Sequence, residues 1–395
     1  MIKNKEPFQG MNVTINTTED CNLRCKYCYE INKKPKSISL DYCKKFIDLL
    51  MESDDPLAVK GTDMYWIYDG LIIDFIGGDS LIDPKLLDDI LKYLQYKLIT
   101  TNHPAKNHWR CSISTNGTLF GRKDVRDFCE KWKENLSLGV SIDGCPEIHD
   151  MNRIFPNGKG SMSVILDNWD WFKATFPNEA LETKATSSRN SIPYLFKSLK
   201  WMHEELGLKY ISQNFIMEDT GATEEDYELL DKELEKCKDY VLEHSNDLYW
   251  SMLGKNFTLD DEWVKLSKCE FNTKGRCGSG YMPTLAISGD IYPCFRWLPH
   301  THKQNKEMAI GDIWNGFNRK DVLESVQEGS IRANCTKESE CVSCDLEPMC
   351  PYCIAGCWSE FGDFIRQTHI CKYTKLQNKW AEIYWKEYDE KKKSE

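Results

Sequence analysis

Three cysteines near the start of the chain stand at spacings suited to holding a metal cluster. They lie in Cys21-Asn22-Leu23-Arg24-Cys25-Lys26-Tyr27-Cys28. The C-x3-C-x2-C pattern lets one short loop wrap its thiolates around three corners of a cubane iron–sulfur cluster. Such clusters usually take four cysteines. This loop has no fourth, so one iron keeps an open position, and an open position is what separates a catalytic metal site from a structural one. The bland alternatives are zinc, a redox pair or ordinary buried thiols. C-x2-C alone suits zinc or thioredoxin-like chemistry, but zinc needs a fourth ligand close by and the loop offers none.

The loop follows a β-like run, Asn12-Val13-Thr14-Ile15-Asn16, and the aromatic Tyr27 directly precedes its last cysteine. With that aromatic it resembles the signature loop of the radical SAM enzymes, C-x3-C-x-aromatic-C. The resemblance implies that the open iron binds the amino and carboxylate groups of S-adenosylmethionine (SAM).

Elements able to position such a loop recur through the first half of the chain. Strand candidates are Asn12–Thr17, Leu71–Ile76, Trp109–Ser114, Leu136–Ile142, Leu181–Thr186 and Tyr210–Met217. Between them, apolar residues recur at helical spacing, as in Leu40, Cys43, Phe46, Ile47, Leu50 and Met51, and in Leu86, Leu87, Ile90, Leu91 and Leu94. Strands alternating with amphipathic helices predict βαβ units and a parallel sheet. Six units predict an α/β fold, an open and partial version of the eight-stranded barrel. Sites in parallel barrels lie at the C-terminal ends of the strands, where the cysteine loop falls.

Other strand ends carry polar residues. Ile72-Ile73-Asp74-Phe75-Ile76 runs into Gly77-Gly78-Asp79-Ser80. It resembles the radical SAM "GGEP" turn, with Asp79 for Glu and Ser80 for Pro; read alone it is a plain turn before a helix. The resemblance implies SAM contacts at Tyr27, Gly77, Gly78, Asp79, Ser114, Asn116, Ser141 and Lys184, with Asp79 toward the SAM ammonium and Ser141 near its ribose or carboxylate. Lys184 either points inward to the SAM carboxylate or faces solvent. His149 and Arg153, in the loop after strand four, read as surface or supporting groups. Residues 51–70, bearing Tyr65, Trp66 and Tyr68, are either a partner surface or an extra packing layer. Thr223-x-x-Asp226 reads as a capping box opening a helix to about Ser245. The tail reads as an amphipathic helix ending in disordered charge at Lys391–Glu395.

Of the 18 cysteines in the 395-residue chain, ten fall between Cys269 and Cys371. Met1–Gly10 has no apolar signal core, and no apolar run reaches spanning length. A cytoplasmic location is therefore expected, with no membrane partner. That compartment keeps thiols reduced, so metal clusters are a better home for these cysteines than disulfides. The net charge of −11 argues against a nucleic-acid footprint. The cysteine distribution divides the chain into a barrel at 11–222, a bridging helix and linker at 223–265, a cysteine-rich domain at 266–375, and a helix and tail at 376–395.

The cysteine-rich part reads C-x11-G-x4-C from Cys277 through Gly289 to Cys294. It continues as Cys341-x2-Cys344-x5-Cys350, then Cys357 and Cys371. It resembles the SPASM domain that extends many radical SAM enzymes. The resemblance implies three [4Fe-4S] clusters, one binding SAM and two auxiliary. Auxiliary cluster I would use Cys269, Cys277, Cys294 and Cys357; auxiliary cluster II would use Cys341, Cys344, Cys350 and Cys371. The usual pattern places a cysteine where Ile354 stands, so either Cys353 or Cys357 fills the first set, with Cys357 favoured. Cys335 is unassigned. The alternative is a pair of zinc sites.

Sulfatase-maturing members of that group carry an Asp directly after the third auxiliary I cysteine as a base, and this chain has Phe295. The strings Trp109–Gly117, Gly275–Gly280 and Tyr292–Trp297 resemble maturases whose precursors contain CXXX repeats. That resemblance implies a ribosomally made, cysteine-rich precursor peptide as substrate. It also implies an electron donor such as flavodoxin or ferredoxin. About ten residues precede the first strand, so the peptide's leader is expected to bind a separate protein or another surface. A sulfur-to-carbon thioether is the first expected product; a carbon–carbon crosslink, an epimerised residue and formylglycine formation are the alternatives. An electron carrier and a zinc-stabilised binding module are the readings outside radical chemistry.

Overall fold

The computed structural model describes residues 11–54, 59–62, 70–259, 277–301, 306–335 and 340–394. Tyr65, Trp66, Tyr68 and Cys269 lie outside the described residues.

The alternation seen in the sequence becomes a run of strands and helices. The strands are β1 (Met11–Thr18), β2 (Leu71–Gly77), β3 (Trp109–Thr115), β4 (Leu136–Val140), β5 (Glu182–Ser187) and β6 (Tyr210–Phe215). The main intervening helices are α1 (Leu40–Met51), α2 (Pro84–Thr100), α3 (Lys123–Trp132), α4 (Pro146–Asn152), α5 (Met162–Leu166), α6 (Trp169–Thr175) and α7 (Leu195–Glu204), with α8 (Glu224–Glu243) after β6. Start signals are local. Ser39 caps α1, while Asp83 caps α2 ahead of Pro84 in its first turn. Thr223 and Asp226 form the expected capping box of α8, with Thr223 N donating to Asp226 Oδ2 at 2.7 Å.

β1 to β4 pair in parallel, with Met11 opposite Leu71 and Leu71 opposite Trp109. Period-two alternation sorts the two faces. Leu71, Ile73 and Phe75 of β2, and Cys111 and Ile113 of β3, are buried in the apolar core with α1, α2 and α3. The opposite face is polar and carries Asp74, Ser112, Ser114, Ser137, Lys184, Ser212 and Asn214. A closed eight-stranded barrel fills its interior with apolar layers; this open one lines it with hydroxyls, amides and charge.

The six strands are not one uninterrupted sheet. The first sheet runs β10-β9-β8-β1-β2-β3-β4 and the second β5-β6-β7. They meet at a single parallel bridge, Ser141 to Lys184. Thr183 accounts for the break. Its hydroxyl donates to Val140 O at 2.9 Å and accepts from Ile142 N at 3.1 Å, taking over positions of the backbone ladder.

The cysteine-rich half joins the same sheet. β8 (Thr284–Leu285) pairs in parallel with β1, and β9 (Asp290–Tyr292) and β10 (Gly311–Asp312) continue antiparallel. β7 (Tyr249–Trp250) lies beside β6. Among the described residues three further helices follow: α9 (Lys320–Cys335), α10 (Ile354–Phe361) and α11 (Cys371–Ser394). α11 packs along α8, where Lys379 Nζ and Trp380 Nε1 both reach Asp231, at 2.8 and 2.7 Å. The disorder expected at Lys391–Glu395 is corrected for Lys391–Ser394, because α11 continues to Ser394; Glu395 lies outside the described residues. Lys391 Nζ donates to Leu242 O at 2.9 Å, one of the carbonyls that the end of α8 leaves without an intrahelical partner. No described helix is long and apolar enough to cross a membrane.

Candidate iron–sulfur and SAM site

The cysteine loop leaves β1 at the C-terminal edge of the sheet and is held from three sides. On the first, the β2 turn presses against it. Gly78 N donates to Thr18 O at 3.1 Å, and Asp79 N to Asp20 O at 2.9 Å. A Cβ on Gly78 would stand 1.9 Å from Asp20 O and 2.7 Å from Cys21 Cβ. Gly77, at φ +146°, would bring one within 2.1 Å of Thr18 O. Only glycine lets the two backbones come this close.

On the second side, Arg24 N donates to Ile154 O at 2.7 Å and Lys26 N to Asn152 O at 3.0 Å, strapping the loop to the end of α4. On the third, the cysteine-rich half reaches over. Asn32 N donates to His300 O at 3.2 Å, the Arg296 guanidinium lies 4.4 Å from the Tyr29 ring centroid, and Phe295 packs on the same ring.

These restraints converge the three thiols. Cys28 N donates to Cys25 O at 3.2 Å, turning the loop tightly. Cys21 is buried, and burial pushes its thiol up to about 12 while Lys33 pulls it down. The Cys25 thiol is also raised by burial, against a lowering by Arg153. Burial lowers the Lys33 ammonium, but the Cys28 and Cys21 thiols outweigh this and hold it above the usual lysine range. Lys33 therefore supplies positive charge where thiolate charge would gather.

The thiol spacing can be tested against zinc. A tetrahedral zinc with Zn–S near 2.3 Å holds its sulfurs about 3.8 Å apart. Among the described residues, the only ligand trio with atoms within 4.8 Å of one another is His203, His244 and Asp247, on α7 and beyond α8. No trio of described cysteines is that tight, so these thiols are not preset for one tetrahedral zinc. The inner face of β1 agrees with a polar ligand nearby. Asn12, Thr14 and Asn16 carry buried side-chain atoms that have no hydrogen-bond partner.

The sequence-selected SAM residues gather at the same sheet edge. The Asp79 carboxylate is buried and fully engaged. Oδ1 accepts from Leu81 N at 3.1 Å, and Oδ2 accepts from Thr115 Oγ1 and Asn116 N, each at 2.9 Å. Burial raises its pKa and these donors oppose the rise. Asn116 donates from Nδ2 to Asn22 Oδ1 at 2.9 Å and toward Cys21 Sγ at 3.9 Å. Lys184 crosses Gly139, and its ammonium donates to Ser114 Oγ at 2.9 Å. With Ser141 bridged to Lys184, the three polar residues Ser114, Ser141 and Lys184 form one group on the inner face.

Tyr27 reveals residues that spacing alone did not select. Its hydroxyl donates to Asp143 Oδ2, which also accepts from Arg153 Nε at 2.9 Å, while Oδ1 accepts from Thr186 N at 2.9 Å. Arg153 lies over the Tyr27 ring at 5.5 Å. Burial and the Asp143 charge hold the Tyr27 phenol well above its usual range. His149 is fully buried, accepting from Asp143 N at 3.3 Å. Asp143 stands in the turn after β4, and only the fold brings Arg153 back to it. An open cavity of about 630 Å³ lies beside this group, lined by Tyr27, Cys28, Asn152, Arg189, Glu218 and neighbours.

The second cysteine group divides in two. Cys350 and Cys371 each lie within electrostatic reach of Cys341, and Cys371 also of Cys344. Cys277, Cys294 and Cys353 act on one another, and Cys357 acts with Cys353.

Residues 15–186 match the family model of the radical SAM superfamily. That matched stretch is a radical SAM domain, its α/β fold is shared with solved structures, and a cysteine-rich region follows it. A protein of Methanocaldococcus jannaschii is 30% identical over 199 residues, a match that spans 50% of this chain and 60% of that protein. The subtilosin biosynthesis protein AlbA of Bacillus subtilis is 22% identical, covering 92% of this chain and 71% of AlbA. A cysteine-type anaerobic sulfatase-maturating enzyme of Clostridium novyi is 24% identical, covering 84% of each. Among solved structures, native anSMEcpe with bound AdoMet superposes at TM-score 0.70 with 18% identity, over 96% of this chain and 99% of that one. Streptococcus suis SuiB bound to its precursor peptide SuiA superposes at 0.58 with 16% identity, over 91% and 75%.

Proposed function

We propose that this chain is a radical SAM maturase that installs a thioether in a ribosomally made, cysteine-rich peptide. Cys21, Cys25 and Cys28 would hold the SAM-binding [4Fe-4S] cluster, and two auxiliary clusters would occupy the cysteine-rich half. When bound, the first cluster and SAM would supply a 5′-deoxyadenosyl radical able to take one hydrogen atom from a peptide carbon; closing the carbon–sulfur bond would pass the thiol proton to solvent and one electron to an auxiliary cluster. The protein's residues do the positioning. Gly77 and Gly78 admit the loop, and the Asp143–Arg153 pair fixes Tyr27 beside Cys28. Ser114, Ser141 and Lys184 offer hydrogen bonds and a positive charge to the SAM carboxylate or ribose. Holding reactants in place supplies a large share of a barrier reduction.

The observation that carries this reading is the convergence of a three-cysteine loop with an open cavity of about 630 Å³ at the strand ends. Peptide-directed relatives support the substrate class. Phe295 supports the choice against sulfatase maturation: its phenyl ring packs on Tyr29 and cannot accept a proton. An electron donor such as flavodoxin or ferredoxin would feed the first cluster.

The test has two arms. Reduced, reconstituted protein should convert SAM to 5′-deoxyadenosine and methionine, and the Cys21→Ala, Cys25→Ala, Cys28→Ala triple variant should not, while keeping its auxiliary iron. Deoxyadenosine from the triple variant sinks the assignment. Mass spectrometry of a co-expressed precursor peptide should show two hydrogens lost per bond. Formylglycine from a sulfatase-type peptide would instead install the rival reaction.

A further inference from the structure

Two cysteines, Cys353 and Cys357, compete for one place near Cys277 and Cys294. They differ in what surrounds the sulfur. Cys353 is the residue before α10, and its Sγ accepts from Gly356 N at 3.4 Å. The sulfur of Cys277 meets the Ile354 N–H, the next amide of the same helix start. Cys294, hydrogen-bonded by Ser279, lies within electrostatic reach of both Cys277 and Cys353. Three thiols from three separate segments thus meet at one helix start, whose amides suit the negative charge of cluster sulfur.

Cys357 stands one turn further along α10. It is 0% exposed, whereas Cys353 lines an open cavity. Its sulfur takes the Gln367 N–H, and of these three thiols Cys353 acts on it most strongly.

Arg296 joins this group to the barrel. Its guanidinium lines the same small cavity as Cys353, pairs with Glu218 at 2.7 Å, and lies 4.4 Å from the ring centroid of Tyr29, the residue after Cys28. Glu218 lines both the barrel cavity and a smaller one of about 220 Å³ that exposes Cys353.

We propose that Cys353, with Cys277 and Cys294, ligates auxiliary cluster I, that Cys357 is a packing residue of α10, and that Arg296 is a positioning residue tying this cluster to the barrel mouth through Glu218. The inference rests on the cluster reading above. It replaces Cys357, the sequence-based choice. Its ground is that sequence spacing ranks the two thiols without knowing which one the helix start presents. Charge and hydrogen bonds at cluster sulfurs set the reduction potential, so Arg296 holds the potential of this cluster up.

The experiment reconstitutes the full chain as wild type, Cys353→Ser, Cys357→Ser and Arg296→Met. It measures iron and sulfide per chain, the electron paramagnetic resonance of the reduced clusters, and their potentials, with circular dichroism as the folding control. Expected is loss of one cluster's iron and its signal in C353S, none in C357S, and in R296M full iron with one auxiliary potential moved to a lower value. Iron lost from C357S, whether or not C353S also loses it, overturns the ligand assignment, as does full iron in C353S. An unchanged potential in R296M overturns the role of Arg296. Wild-type protein that takes up no iron overturns the cluster reading itself, a result separable from every variant outcome.

Discussion

The two cysteine groups solve the same problem in opposite ways. Cys21, Cys25 and Cys28 come from eight consecutive residues, and the rest of the protein shapes the backbone of that one loop. Cys277, Cys294 and Cys353 come from segments far apart, brought together by β9, the turn after it and the start of α10. In the first group the ligand set is a local property and the surroundings are conserved in shape by glycine and buried charge. In the second, on the assignment proposed above, the surroundings would choose the ligands. A local set tolerates changes in distant packing but not in the turn that presses on it. A dispersed set has the reverse weakness.

The sharpest way to break the comparison is Gly78→Ala. Its Cβ would collide with Asp20 O and Cys21 Cβ, so the loop must move. The expected outcome is near-complete loss of the first cluster's iron and of deoxyadenosine formation, with auxiliary iron unchanged. Retention of both would show that the loop is not set by this backbone contact.

A smaller effect is expected from Asp143→Asn. It leaves Arg153 buried without its countercharge, with side-chain exposures of 2% for Asp143 and 10% for Arg153. Removing one partner of a buried pair costs about 3–5 kcal/mol, to be read from denaturant unfolding of the apo protein. Tyr27 also loses its ionised acceptor, so SAM binding should weaken in the same variant. A change below about 1 kcal/mol would move Asp143 out of the supporting structure, because that is the range of an exposed pair.

The smallest effect is expected from Lys184→Met, which removes the ammonium from Ser114 without emptying a core. Stability should stay within about 0.5 kcal/mol. The KM for SAM should rise about tenfold, the equivalent of about 1.4 kcal/mol. An unchanged KM would return Lys184 to the role of a solvent-facing lysine.

What could be read from the chain follows the same division. The six strands from β1 to β6 were legible because runs such as Met11–Thr18 and Trp109–Thr115 alternate with period two, and the helices because their apolar stripes are long; the two- and three-residue strands β7 to β10 are too short to leave such a mark. The three-cysteine loop was legible because its spacing is local. Asp143 and Arg153 were hidden because a charge pair across a short helix leaves no periodic mark, and a buried arginine looks like a surface one until its partner is placed. The break between β4 and β5 was hidden because it depends on which atom the Thr183 hydroxyl faces. The order in α11 beyond Lys391 was masked by composition: a run of lysines reads as solvated until α8 is seen to end where its carbonyls need donors.

The pairing of β8 with β1 has a consequence for the molecule as a product of folding. β1 is synthesised first, and its partner on one side, Thr284–Leu285, emerges more than two hundred residues later. Until then, the backbone amides and carbonyls along that side of β1 form an unprotected edge, and exposed edges recruit strands from other chains. A chain truncated before residue 277 would keep that edge permanently. Such a fragment should self-associate in a cell, which makes the cysteine-rich half a built-in guard against aggregation as well as a carrier of thiols.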